Sequence, residues 1–198
     1  PEFVQTDIRT SFIQNLPFGS KRYQWYLPLM PTAVERYPLQ GAYDLVLSSA
    51  ASFSKGVITL PKTLHISYIH SPTRYLWSDT TRYVDELPYP KFFKWYAPHL
   101  LTRIRQWDYL AAQRPDILVA NSKIVQQRIE KYYRRSSDII HPPVDVQKFT
   151  VVQGQGGYFL AGGRLVSYKR FDLVIPAFTR LALPSKIYGS GTAVDHFG

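Results

Sequence analysis

The stretch Ala161-Gly162-Gly163-Arg164-Leu165-Val166-Ser167-Tyr168-Lys169-Arg170-Phe171-Asp172 has the residue types needed to hold an anion. The apolar run Tyr158-Phe159-Leu160-Ala161 ends at glycines, where backbone amides can approach a ligand closely. Arg164 and Lys169 follow on the way into a helical pattern. A helix start flanked by Gly, Arg and Lys suits a pyrophosphate. The spacing is not that of a Walker A loop, nor of the dinucleotide G-x-G-x-x-G fingerprint. The plain alternative is a solvated helix start, where basic residues are common. His70 closes another apolar run, on the edge where open α/β sheets bind ligands. The alternative for His70 is a hydrogen-bonded structural histidine. His65, His99, His141 and His196 read as structural or surface residues.

These residues need strands to carry them. Five short apolar runs qualify, over 43–49, 65–70, 116–121, 158–161 and 185–188. Each stops at Ser, His, Asn or Gly, and near-continuous apolar strands suit a parallel sheet buried on both faces. Helical patterns lie between them. Leu100, Ile104, Trp107 and Ala111 form one apolar stripe in 99–114. Ser122 is placed to cap a second helix, with Val125, Ile129 and Tyr132 or Tyr133 facing inward. Phe171, Val174, Phe178 and Leu181 suggest a third, which Pro176 delays or kinks. Strand alternating with helix predicts an α/β fold with right-handed crossovers. Residues 72–98, rich in Pro and aromatics, read as a long ordered loop with short helical pieces. His141-Pro142-Pro143-Val144-Asp145 cannot continue a helix. A domain boundary near 150 is expected, giving lobes 1–150 and 151–198, the second a truncated piece.

Composition narrows the class. The chain has 198 residues, 45% of them apolar, with 24 Lys and Arg against 14 Asp and Glu, a net charge of +10. A chain this apolar buries a core, which excludes disorder. Cysteine is absent, which excludes a disulfide scaffold and thiolate-held metals. No uncharged apolar run approaches the ~20 residues of a membrane span. Pro1-Glu2-Phe3-Val4-Gln5 lacks the regions of a secretory signal, so a cytoplasmic location is expected. Residues 91–135 hold ten Lys or Arg against Asp108, Asp116 and Glu130. Phe92, Phe93, Trp95, Tyr96, Trp107 and Tyr109 interleave them. Three readings compete: a solvated face over an aromatic core, contact with an anionic membrane, and nucleic-acid binding. No zinc-finger, RRM or KH signature supports the last, and no nucleic-acid partner is expected.

Taken together, these motifs resemble glycosyltransferase family 4, the retaining GT-B sugar transferases, over nearly the full chain. Gly163-Arg164-Leu165 with Lys169-Arg170 is similar to that family's diphosphate motif. Tyr188-Gly189-Ser190-Gly191 is similar to its G-x-G turn against the nucleotide. His70-Ser71-Pro72-Thr73-Arg74-Tyr75-Leu76-Trp77 resembles its cleft histidine and the loop after it. Ala120-Asn121-Ser122 and Pro142-Pro143-Val144-Asp145 with Phe149 resemble the end of the acceptor domain and the crossing to the donor domain. The nearest branch is that of O-antigen and lipopolysaccharide mannosyltransferases. Two departures stand out. The family's first strand and Gly-rich loop have no counterpart, and its paired glutamates after the G-x-G turn are not reached.

The resemblance implies two Rossmann-like lobes with parallel sheets, both incomplete here. It implies retaining transfer of a sugar, mannose from GDP-mannose in the nearest branch, to a glycan or lipid-linked acceptor. His70, Arg164 and Lys169 become the catalytic residues. Gly162, Gly163, Arg164, Lys169, Gly189, Ser190 and Gly191 bind the nucleotide-sugar. Arg74 and Trp77 either contact acceptor or pack their loop. Arg164 and Lys169 would meet negative charge growing on the leaving diphosphate, helped by the amides of Gly162, Gly163 and Gly191. No D-x-D motif is present, and neither a metal nor a cofactor is expected. A lipid-linked acceptor places the protein in the cytoplasm, peripheral on the inner membrane face. Two rivals remain: a non-catalytic basic module binding nucleic acid or anionic membrane, and a GT-B sugar-nucleotide epimerase.

Overall fold

The computed structural model describes residues 7–37, 39, 43–81, 84, 91–150, 156–166 and 169–191, without the side chains of residues 24 and 91–93. The chain divides into two compact units, Pro1–Pro143 and Val144–Gly198. The division falls at the prolines of the His141–Asp145 segment, a few residues before the expected boundary.

In the first unit the apolar runs become parallel strands. β1 is Leu45–Ala50, β2 Leu64–Ile69, β3 Ile117–Ala120 and β4 Asp138–Ile139, ordered β1-β2-β3-β4. The register pairs Ser48 with Ser67, Ile69 with Ala120, and Ala120 with Ile139. The short β4 was not among the expected strands. Its two exposed residues carry no hydrophobic run to announce it.

Helices pack against the sheet, but Leu45, Leu47, Leu64 and Ile117 remain exposed on one face, so the expected burial on both faces is not found. A short helix, α1 (Met30–Glu35), precedes β1, and α2 (Arg74–Trp77) follows β2. α3 spans Lys91–Ala111 and α4 Lys123–Tyr133. α4 begins as expected: the Ser122 hydroxyl accepts from the Val125 amide at 3.4 Å. Val125, Ile129 and Tyr133 recur every four residues on its buried face. They pack with Ala50, Ile69, Ala112, Leu118 and Ala120 into one core. Arg134 ends the helix in the left-handed region, at φ 56°.

α3 departs from expectation twice. It starts at Lys91 rather than beyond Pro98, so the end of the expected 72–98 loop is helical. Pro98 removes one helical hydrogen bond, but Ala97, Leu101 and Ile104 are buried and hold the segment helical. The apolar stripe is also rotated. Its seam runs Ala97–Leu101–Ile104–Asp108–Ala111, at alternating spacings of four and three, while Leu100 and Trp107 are only half-buried.

The second unit holds a two-stranded parallel sheet, β5 (Phe159–Gly162) and β6 (Ser185–Tyr188), joined through α5 (Phe171–Arg180). α5 starts at Phe171 and continues past Pro176, so the proline does not delay it. The overall class is mixed α/β with a four-stranded parallel sheet, compatible with a Rossmann-like fold. Among the described residues no helix is long and apolar enough to cross a bilayer.

Candidate functional site

The glycine turn of the second unit is built by backbone meeting backbone. β5 ends at Gly162, and Gly163 (φ 151°) and Gly189 (φ 155°) take conformations that favour glycine. The Gly163 amide donates to the Tyr188 carbonyl at 2.9 Å, and the Leu165 amide to the Ser190 carbonyl at 2.9 Å. A Cβ on Gly189 would stand 1.8 Å from the Gly163 carbonyl oxygen, and one on Gly191 2.0 Å from that of Leu165. Side chains are therefore excluded from this crossing. Leu165 and Phe171 are buried beside it.

The two turns wall a cavity of about 650 Å³ lined by Gly163, Arg164, Tyr188, Gly189, Ser190 and Gly191. Five of the seven residues expected to bind a nucleotide-sugar thus share one cavity. Gly162 sits outside the lining, paired with Tyr188 in the sheet. Lys169 is exposed just before α5 and is also outside the lining. Ser167 and Tyr168 lie outside the described residues. One expected contact is corrected: the Gly163 amide is held by Tyr188 and is not available to a phosphate. Arg164 is exposed at the cavity and supplies its positive charge. Arg170, in the left-handed region at the start of α5, forms an exposed ion pair with Asp172 at 3.1 Å. That hydrogen bond holds the Asp172 carboxyl below its ordinary range. A concave site with glycine walls and a guanidinium suits an anionic ligand.

His70 of the first unit leaves the carboxyl end of β2 with an exposed ring. Its amide donates to the Ala50 carbonyl at 3.0 Å, and its Nε2 pairs with Ser49 Oγ at 2.8 Å. Asn121 Nδ2 donates to the His70 carbonyl at 3.0 Å, which ties it to the end of β3. Tyr68 packs edge-on at 5.4 Å. The ring is thus oriented by Ser49 and Tyr68 while remaining open to solvent.

Arg74 and Trp77 take different places. Arg74 is exposed and forms a two-nitrogen contact with Asp79, at 2.8 and 2.6 Å. Trp77 stacks on Tyr132 at 5.1 Å, meets Tyr133 edge-on, and donates its indole N–H to Asp108 at 2.8 Å. Trp77 thus packs its loop while remaining half-buried.

Sequence reasoning missed the group beneath this loop. Asp108, read there as one acid among a basic run, is 1% exposed, as is Lys55. Lys55 Nζ stands 2.6 Å from Asp108 Oδ1. Burial pushes the Lys55 ammonium below the usual lysine range, and Asp108 opposes the shift. Burial, then Asp108, holds the Tyr133 hydroxyl well above its ordinary value. An acid on the apolar seam of α3 was the available signal.

Three other histidines take structural or surface places. His65 is buried in β2, its Nε2 paired with Ser48 Oγ at 3.0 Å and its Nδ1 without a partner. His141 Nδ1 meets the Asn121 carbonyl at 3.1 Å. His99 packs against Trp95 and Tyr96, and His196 lies outside the described residues.

Part of the basic run 91–135 is tied down, while Arg103, Lys123, Lys131 and Arg134 are exposed. Arg105 holds the Leu76 carbonyl and Thr80, and Arg128 reaches Ser71. Arg114 pairs with Glu35 at 2.5 Å. Arg135 donates to the carbonyls of Ala112, Pro115 and Asp116. Trp107 is half-buried, with its indole N–H on Glu35 at 2.7 Å. Burial raises the Glu35 carboxyl, but the hydrogen bonds from Arg114 and Trp107 outweigh it and hold it low. The outward side of α3 exposes Trp95, at 76%, with Tyr96 and Tyr109. There a shallow cavity of about 540 Å³ is lined by Trp95, Tyr96, Pro98, His99, Thr102, Arg103 and Gln106.

Comparison with protein-family models and with curated proteins finds no match.

Proposed function

We propose that the chain belongs to a retaining GT-B sugar transferase that takes its donor as a nucleotide diphosphate sugar. The carrying observation is the glycine-walled cavity of about 650 Å³ with Arg164 at its lining. Glycine walls let a diphosphate approach the backbone, and the guanidinium neutralises it. Departure of the nucleoside diphosphate puts negative charge on its β-phosphate, which Arg164 and Lys169 stabilise. In this reading His70, oriented by Ser49, keeps the donor-sugar role that the resemblance gives it. The motif resemblance favours GDP-mannose and a glycan or lipid-linked acceptor. Arg74, exposed beside Asp79, and Trp77 are the residues offered to the acceptor in this reading. A GT-B epimerase would need catalytic carboxylates, and among the described residues none lines this cavity.

Calorimetric titration with GDP, UDP and ADP tests the reading. Selective binding of one nucleotide supports it. Salt-sensitive binding of DNA alone, with no nucleotide bound, supports the basic module instead.

A membrane-facing role for the first unit has one specific observation behind it. The outward side of α3 exposes Trp95, Tyr96, Tyr109 and Leu110 beside Arg103, and the only acid of α3, Asp108, is buried. Aromatic rings beside cations suit the interface of an anionic bilayer. The protein then works at the cytoplasmic face of a membrane. Co-sedimentation with vesicles at low and high salt tests this. Binding to anionic vesicles that salt weakens, and that Trp95→Ala reduces, is expected. No binding at low salt would leave the face solvated.

A further inference from the structure

The segment from His70 to Trp77 is held from beneath by one carboxylate. Asp108 Oδ1 accepts from Lys55 Nζ at 2.6 Å and from Thr73 Oγ1 at 3.0 Å. Its Oδ2 accepts from Trp77 Nε1 and from the Tyr133 hydroxyl, both at 2.8 Å. A carboxylate has about four lone-pair sites. Protein donors occupy all of them, so no site is left for a ligand. Net stability is a poor explanation for the arrangement, because desolvating two ions offsets much of their attraction. Such a group instead fixes direction: an apolar filler would occupy the volume without choosing where its neighbours point.

The identity of the donors says what is being directed. Thr73 and Trp77 belong to the loop after β2. Lys55 belongs to the loop after β1, and it also donates to the Ser52 carbonyl at 2.5 Å. Ser52 Oγ in turn meets the Tyr75 hydroxyl at 3.1 Å. Ser54 Oγ donates to the Ser49 carbonyl at 2.8 Å, and Ser49 Oγ holds His70. Two loops leaving adjacent parallel strands are therefore joined at the sheet edge by Ser49–His70 and below it by Asp108.

We propose that Asp108, with Lys55 as its counter-charge, is the positioning residue of the His70 loop. It anchors Thr73 and Trp77, and so sets the course of the chain that leaves β2 at His70. The use of that edge by a sugar donor rests on the transferase reading; the positioning does not.

Native-state hydrogen exchange on the 198-residue chain tests it. The amides of Leu76, Trp77, Ser78 and Asp79 donate to the Thr73 and Arg74 carbonyls and report the loop directly. The double variant Lys55→Met/Asp108→Leu replaces the pair by apolar side chains of similar size, so neither charge is left buried and unpaired. Its loop amides should exchange at least about 10-fold faster, with β3 and α4 protection unchanged. Thr73→Val removes a single donor and covers the case in which the double variant does not fold. It should speed the same amides roughly 5-fold, and Thr73→Ser should restore them. Wild-type exchange of these four amides in Thr73→Val, or in a folded double variant, overturns the proposal. A loosened loop in a chain that binds no nucleotide upholds the positioning and removes only the transferase reading.

Discussion

The loop after β2 and the turn after β5 both leave a parallel strand at its carboxyl end, and they are held in opposite ways. Side chains hold the first: Asp108, Lys55, Thr73, Trp77 and Tyr133 saturate one another in the interior. Backbone holds the second: the Gly163 and Leu165 amides donate to the Tyr188 and Ser190 carbonyls, at distances only glycine permits. The difference lies in what remains for a ligand. The first arrangement leaves an oriented histidine at the edge and a polar interior with nothing to spare. The second has no interior to speak of, since Leu165 and Phe171 are its buried hydrophobics among the described residues. It leaves open walls and exposed cations.

Substitutions should separate the two. Asp108→Ala should have the largest effect, about 3–5 kcal/mol of lost stability in a denaturant titration, because it strands a buried ammonium. A loss below about 1 kcal/mol would mean that water reaches Lys55. In the second unit, Arg164→Ala or Lys169→Ala should leave melting unchanged and lower kcat/KM for sugar transfer by about 10²-fold. Near-normal turnover would make both residues surface decoration. Gly189→Ala should cost about 1–3 kcal/mol, since its Cβ meets a carbonyl oxygen that must move. Full nucleotide binding in that variant would show that the crossing is not needed.

Much of the fold was legible because its strands are apolar runs, although β1 is half exposed and β5 and β6 lie largely open. Tyr43–Ser49, His65–His70 and Asp116–Asn121 are apolar enough to announce β1, β2 and β3, and Ser122 announces α4. The glycine turns were legible for a related reason: Gly189 and Gly191 stand where side chains cannot fit, and Gly163 takes a φ of 151°. α3 was obscured by Pro98 and by Asp108. A proline suggests a helix boundary, and an aspartate suggests a wet face. Tertiary contacts override both. The partner that makes Asp108 an interior residue is Lys55, 53 positions away, and no local pattern links the two. For the same reason the charge count over 91–135 overstated the free positive surface. Arg105, Arg114 and Arg135 turn inward to carbonyls and to Glu35, contacts that depend on the folded chain.

The smallest effect expected is a pH dependence in the first unit. Burial holds His65 below its ordinary value, with Asp116 opposing, so the folded state keeps the ring neutral. The unfolded ring takes up a proton below about pH 6.5. Stability is thus fully present above that pH and falls as the pH drops toward the folded value. Melting temperature followed from pH 7.5 to 5 should decline, and His65→Gln should flatten the decline. An identical slope in the variant would assign it to another group.

The central claim is that the glycine-walled cavity receives a nucleotide diphosphate. A titration of the ¹⁵N-labelled chain with GDP, followed amide by amide, tests it most directly. The largest shifts should fall on Arg164, Leu165 and Gly189 to Gly191, and Arg164→Ala should abolish them. Shifts confined to basic residues of α3 and α4, or none at millimolar GDP, UDP and ADP alike, would contradict it.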